Sequence, residues 1–351
     1  MSSFAILNVM ANQDRKAAVK KLKLLSYSAK ADVNIFRRRI EEEFKTVFLP
    51  NHAERTEKNF GGIQCDFIVP EIFASKRILF YIHGGCFTGG SRASYRNFTA
   101  TLANKVYSRV VVPEYRLAPA HPFPASLDDV QAAFRALFTE EQISRSLDAR
   151  QTEEKTGLET DNEPEFIIAA DGAGASIACG LLLNLQERYK KCIKKLVLFS
   201  PWLDISENSP LKTGKKISDE ILSQEVLIKS SLAYSYSSNL SNPLISPVFA
   251  SKELLQNFPD TYIQLGEKEI LVNDSLKFSK LLEESGIKCT IDVWPKMMHL
   301  FQLADEYLEE SHEAMDKLSY IIASGTESKQ NEETISIQNK PKLENSLRSE
   351  A

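Results

Sequence analysis

The sequence predicts an α/β fold, a doubly wound, mostly parallel sheet covered by helices, and three observations carry that prediction. Short and nearly continuous apolar runs, among them RILFYIH, RVVVPEY, EFIIAAD and KKLVLFS, read as strands buried on both faces. Helix-period segments separate them, as at residues 94 to 107 and 126 to 138. The chain has 351 residues, 43% of them hydrophobic, which is enough to bury one large core or two smaller ones.

Taken in order, the elements begin with a basic, amphipathic stretch. Residues 1 to about 48 place apolar side chains at helical spacing in RKAAVKKLKLLSYSAKADVNIFRRRIEEEF, which predicts one or two helices with Val19, Leu22, Leu25, Ile35 and Phe36 buried. We assign residues 1–59 to these helices and to part of a cap. Lys20, Lys21, Lys23, Arg37, Arg38 and Arg39 read as a solvated flank rather than as a membrane-surface or partner-binding face.

The core is expected over residues 60–324, with IQCDFIV, TYIQLG and CTIDVWP as further strands. Residues 204–250 are rich in Ser, Asn and Pro and break the strand alternation, so they read as a cap inserted over the strands' C-terminal ends. The segment 150 to 164 reads as a surface loop, and the extra residues between Phe138 and Glu165 should lie away from the site. The polar tail, 325–351, lacks the apolar side chains that would offset the entropy of ordering and is expected to be disordered.

Composition narrows the function classes. A formal net charge of -4 gives no basic field for nucleic acid. Five scattered cysteines without a CxxC pair argue against a disulfide framework and a zinc site and fit a reducing compartment. No signal peptide and no bilayer-spanning segment is read from the sequence, so a cytoplasmic location is expected.

Two glycine-rich turns carry the chemistry. In YIHGGCFTGGS, residues 81 to 91, a strand delivers His83 into Gly84 and Gly85, whose backbone N–H groups are unshielded by a Cβ and suit an oxyanion. In IIAADGAGASIA, residues 167 to 178, a strand turns sharply into a helix with Gly172 at the apex.

With YRLAP, HPFPA, FSPWLD, NPLISPVFA, GEKEILVNDS and VWPKMMHLFQL following in order, the chain resembles the hormone-sensitive-lipase-like α/β-hydrolases, the carboxylesterase and acetyl esterase branch, from about residue 60 to 320. The resemblance implies an α/β-hydrolase fold with a helical cap, no metal or other cofactor, and a small acyl ester, lactone or carboxylate as ligand. It places the catalytic histidine at His299 and its acid at Glu269, with Glu267 and Asp274 as nearby rivals. It places the oxyanion donors at Gly84, Gly85 and Ala173, and Cys86 at the third glycine of the family's HGGG turn.

The family's elbow reads GDSAGG, whereas this chain has Asp171, then Gly172 where the family has its serine. Glycine carries no atom that attacks a carbonyl, so the acyl-enzyme route is closed at that position. Ser176, one helical turn on, and Cys86 are the substitutes to weigh. Three readings follow: a non-catalytic descendant that keeps the pocket, a weak hydrolase using water activated by His299, and an ordinary esterase in which Gly172 is not the natural residue. The first is preferred. His83, Gly172, Glu269 and His299 are expected to converge at one pocket mouth.

Overall fold

A computed structural model of the chain describes residues 3–26, 32–44, 52–74, 77–156, 163–209 and 219–324. The expected disordered tail and parts of the cap segment and of the 150 to 164 stretch lie outside these residues. The sheet has eight strands: β1 Ala53–Phe60, β2 Ile63–Pro70, β3 Arg77–Ile82, β4 Arg109–Pro113, β5 Glu165–Asp171, β6 Ile193–Phe199, β7 Thr261–Gly266 and β8 Cys289–Trp294. Their spatial order is β1-β2-β4-β3-β5-β6-β7-β8. The β2 strand runs antiparallel to both neighbours, and the pairs from β4 to β8 are parallel.

Helices flank the sheet: α1 Ser3–Leu25, α2 Val33–Glu43, α3 Arg96–Lys105, α4 Ala125–Thr156, α5 Gly172–Asn184, the short α6 Glu187–Lys190, α7 Gln224–Tyr234, α8 Val272–Glu284 and α9 Glu309–Ser324. The central β3 shows how two apolar layers arise from one strand. Its alternate residues Ile78, Phe80 and Ile82 join one buried cluster with α4, α5 and α8, while Leu79 and Tyr81 join a second with α1, α3 and α9. A strand whose side chains alternate between two dry faces must be apolar throughout. That is why RILFYI reads as one continuous run.

Several expectations need correction. The first strand falls inside the zone assigned to helices: AERTEKNF is a charged edge strand with alternating exposure and carries one large buried apolar residue, Phe60. A helix, not a loop, occupies residues 150–156, because α4 runs on to Thr156. The middle of α4 is tied to β4 by Arg109, whose guanidinium donates to both carboxylate oxygens of Glu141 at 2.8 and 2.9 Å. Ile35 is 55% exposed, and Ile40 takes its place beside the buried Phe36.

Arg37 is not simply a solvated flank residue either. It donates to the Thr88 and Ala118 carbonyls, each at 2.8 Å, and so docks α2 onto the turn that follows β3. Charged donors to backbone acceptors are worth roughly 1.5–3 kcal/mol when half-buried. Arg37→Ala is therefore expected to lower unfolding stability by about 1–2 kcal/mol in a denaturant titration. An unchanged midpoint would show that α2 is held by Phe36 and Ile40 alone.

Candidate functional site

The β5 strand ends at Asp171, and α5 begins at once with Gly172, whose φ of +47° lies in the left-handed region. The two elements can meet so abruptly because Gly174 lets α5 ride against the end of β3. A Cβ there would stand 2.3 Å from the Ile82 carbonyl oxygen and 2.4 Å from that of His83. The Gly172 carbonyl accepts from Trp202 N–H at 2.9 Å, which fixes the apex against the segment after β6.

Asp171 ties this apex to the glycine turn after β3. Its fully buried carboxylate accepts from Tyr81 Oη at 2.7 Å, Tyr95 Oη at 2.8 Å and Gly84 N–H at 2.8 Å. Burial pushes its pKa up to about 6, against the pull of these three donors. Gly84 has no alternative here, since a Cβ would sit 2.2 Å from Asp171 Oδ2. The expectation that Gly84 offers an oxyanion its N–H is thereby corrected: that N–H already serves Asp171.

Gly85 and Cys86 come next and line the cavity, with φ values of +110° and +55°. His83 does not reach the mouth, which corrects a second expectation. It is buried between the rings of Tyr95 and Tyr115, with centroids 5.3 and 4.4 Å away. Its Nδ1 lies 2.8 Å from the Gly84 carbonyl oxygen, and burial drives its pKa down to about 4, so it is a neutral prop beneath the turn.

On the far side of the apex stand His299 and Glu269. Glu269 follows β7 and His299 follows β8, and the imidazole Nδ1 lies 3.2 Å from Glu269 Oε2. The other carboxylate oxygen accepts from Ser200 Oγ at 2.7 Å and from Gly266 N–H. Burial opposes charge on His299, yet the adjoining Glu269 carries its pKa above the ordinary histidine value. The Glu269 carboxyl is pushed up by burial and drawn back by its donors, His299 first. His299 Nε2 faces the apex: a Cβ built on Gly172 would meet it at 3.9 Å and nothing nearer.

The rivals fall away on geometry. Glu267 is exposed and accepts from Lys296 N–H at 3.0 Å. Asp274 accepts from the N–H groups of Leu203 and Asp204 at 3.3 and 3.0 Å. The Ser176 hydroxyl, fully buried, donates to the Ile245 carbonyl and does not line the cavity.

Asp274 has a measurable consequence. Burial, the first cause, together with the nearby Asp204 carboxylate, pushes its pKa up to about 7, well above its unfolded value. A group raised on folding stabilises the native state most below its unfolded pKa, near ~4, and that contribution is lost as pH rises through the folded value. Asp274→Asn is expected to flatten the fall in unfolding free energy between pH ~4 and 7. A profile parallel to that of the unaltered chain would contradict this placement.

A narrow cavity closes over the apex. Gly85, Cys86, Gly172, Ala173 and His299 form one end. Trp202, Leu271 and Leu300, Leu25 and Ser26 at the α1 end, and Leu222 and Leu227 near and in α7 complete its lining. These segments are anchored by residues the sequence reading missed. Asp219 accepts from Ile221, Leu222 and Ile270 N–H at 2.7, 3.0 and 2.9 Å, joining the segment before α7 to the loop that carries Glu269. Arg15 of α1 donates to Glu220 Oε1 at 2.5 Å and to the Lys296 carbonyl at 3.2 Å, in the loop before His299.

Known proteins resemble the chain in sequence and in fold. A family described as alpha/beta hydrolase fold matches residues 79–303. An esterase of Acinetobacter venetianus is 27% identical over 266 residues, 75% of this chain and 80% of that protein. An acetyl-hydrolase of Streptomyces hygroscopicus is 27% identical over 71% of this chain and 76% of its own length. Among solved structures, an esterase from the bacterial hormone-sensitive lipase family superposes with a TM-score of 0.74 at 22% identity, over 90% of this chain and 99% of the other. A hormone-sensitive lipase homologue from a metagenome library gives a TM-score of 0.68 at 26% identity, over the same shares.

Proposed function

The chain belongs to the α/β-hydrolase family, as a hormone-sensitive-lipase-like member related to esterases, and from that premise we propose that it is a ligand-binding descendant that lacks the nucleophile. One observation carries the reading. At the turn where a nucleophile would face His299 Nε2 stands Gly172, where a Cβ would meet that nitrogen at 3.9 Å and nothing nearer. Supporting parts remain around it: the His299–Glu269 pair, Gly85 and the first turn of α5, whose N–H groups have no carbonyl partner within the helix. Gly85 and Ala173 are then the oxyanion donors. The α1 end and the 204–250 segment act as the cap. Small acyl esters, lactones and carboxylates are the ligand class.

A second reading, slow hydrolysis by water on His299, draws on the intact His299–Glu269 pair. Short-chain 4-nitrophenyl ester assays of the chain and of His299→Ala separate the two. Equal, background rates support the binding reading. A slow rate lost in His299→Ala supports activated water, and ordinary esterase turnover contradicts both. Among the described residues, no helix is long and apolar enough to cross a membrane.

A further inference from the structure

We infer that Asp219 is a positioning residue for the His299–Glu269 pair, its one carboxylate bracing the loop that carries Glu269 against the segment before α7. Residues 267–271 join β7 to α8 without helix or strand, so the aim of Glu269 depends on how its neighbours are held. On one flank Lys268 N–H donates at 3.0 Å to the carbonyl of Met297, two residues before His299. On the other flank Ile270 N–H donates to Asp219 Oδ2 at 2.9 Å. Glu269 is thus clamped on both sides, once to the loop that carries His299 and once to Asp219.

The other oxygen of Asp219 is committed too, accepting from Ile221 and Leu222 N–H at 2.7 and 3.0 Å. Leu222 lines the cavity, as does Leu271 just after Ile270, so one side chain holds two lining segments together with the acid that orients the histidine. A carboxylate suits the task because its two oxygens accept in two directions, and amide bonds to a charged acceptor are about twice as strong as neutral ones. Asparagine has one such oxygen. Asp219 also acts on His299 through space: burial opposes charge on the imidazole, while Glu269, Asp219 and Asp171 favour it in that order. A second brace leaves the next residue, where Glu220 accepts from Arg15 and Arg15 donates onward to the Lys296 carbonyl. Glu220 is exposed and that pair is screened by salt, which leaves Asp219, half-buried, as the stronger tie.

Proton–nitrogen correlation spectra of the chain labelled at histidine read the ring tautomer, with His299→Gln assigning the signal. In the unaltered chain at alkaline pH, His299 is expected as a single Nδ1–H tautomer fixed by Glu269. Asp219→Ala, or Asp219→Asn should the first misfold, is expected to add an Nε2–H population. In the Gly172→Ser background the same change should lower kcat by ~10-fold with KM nearly constant, because a base displaced from its working geometry loses rate rather than binding. A mixed tautomer in the unaltered chain, a folded variant in which the tautomer stays single, or a kinetic loss carried by KM overturns the inference. Silence of Gly172→Ser itself would count against the reading of the apex and not against Asp219, since the tautomer is measured on the chain without that substitution.

Discussion

Gly172→Ser is expected to raise turnover of short-chain aryl esters by ~10³-fold or more, because a nucleophile and its base act as a unit and contribute most of the rate together. The geometry needed is already present. A Cβ at residue 172 lies 3.9 Å from His299 Nε2 with nothing closer, so a serine hydroxyl has the space and reach to donate to that nitrogen. Glu269, held by Ser200 and Gly266, keeps Nδ1 as the protonated nitrogen. The substitution places a non-glycine residue at a φ of +47°, which costs about 1–2 kcal/mol of stability. Steady-state kinetics with 4-nitrophenyl acetate and butyrate check it. A folded but silent variant would show that the turn at Gly85 and Cys86 has drifted from a usable oxyanion site.

Asp171→Ala should be the most damaging single truncation at the site. It removes one acceptor from three buried donors, the Tyr81 and Tyr95 hydroxyls and Gly84 N–H. Each donor left unsatisfied costs about 1–3 kcal/mol, so a total near ~4 kcal/mol or more is expected. The glycine turn loses its tie to the apex at the same time. Denaturant unfolding should show the loss, and in the Gly172→Ser background kcat should fall further than KM changes. A loss below ~1 kcal/mol would mean that water replaces the carboxylate.

The parallel strands were legible because burial on both faces demands uninterrupted apolar runs, as in EFIIAAD and KKLVLFS. The edge strand AERTEKNF was not, since a strand with one wet face and a salt-bridged rim carries charges where a pattern reader expects apolar residues. The end of α4 escaped for a similar reason: beyond Leu147 its side chains are mostly polar, and its helicity is not announced by an apolar stripe. At the site, Gly172, Glu269 and His299 stand in recognisable local motifs, and the fold brings them to one apex.

The direction of the Gly84 amide was not legible. It depends on where the carboxylate of Asp171, 87 residues away in sequence, comes to rest. Asp219 and Ser200 were missed because each acts through a partner distant in the chain, Ile270 and Glu269, and neither lies in a motif that points to that partner.

Intact-mass spectrometry after exposure to an alkyl fluorophosphonate decides whether the chain holds an activated serine, since that reagent phosphonylates such a hydroxyl whatever the substrate. No adduct is expected on the unaltered chain, and one stoichiometric adduct is expected on Gly172→Ser, lost again when His299 is replaced by alanine. A stoichiometric adduct on the unaltered chain that depends on His299 would contradict it, and peptide mapping would then identify the nucleophile that the site holds in place of residue 172.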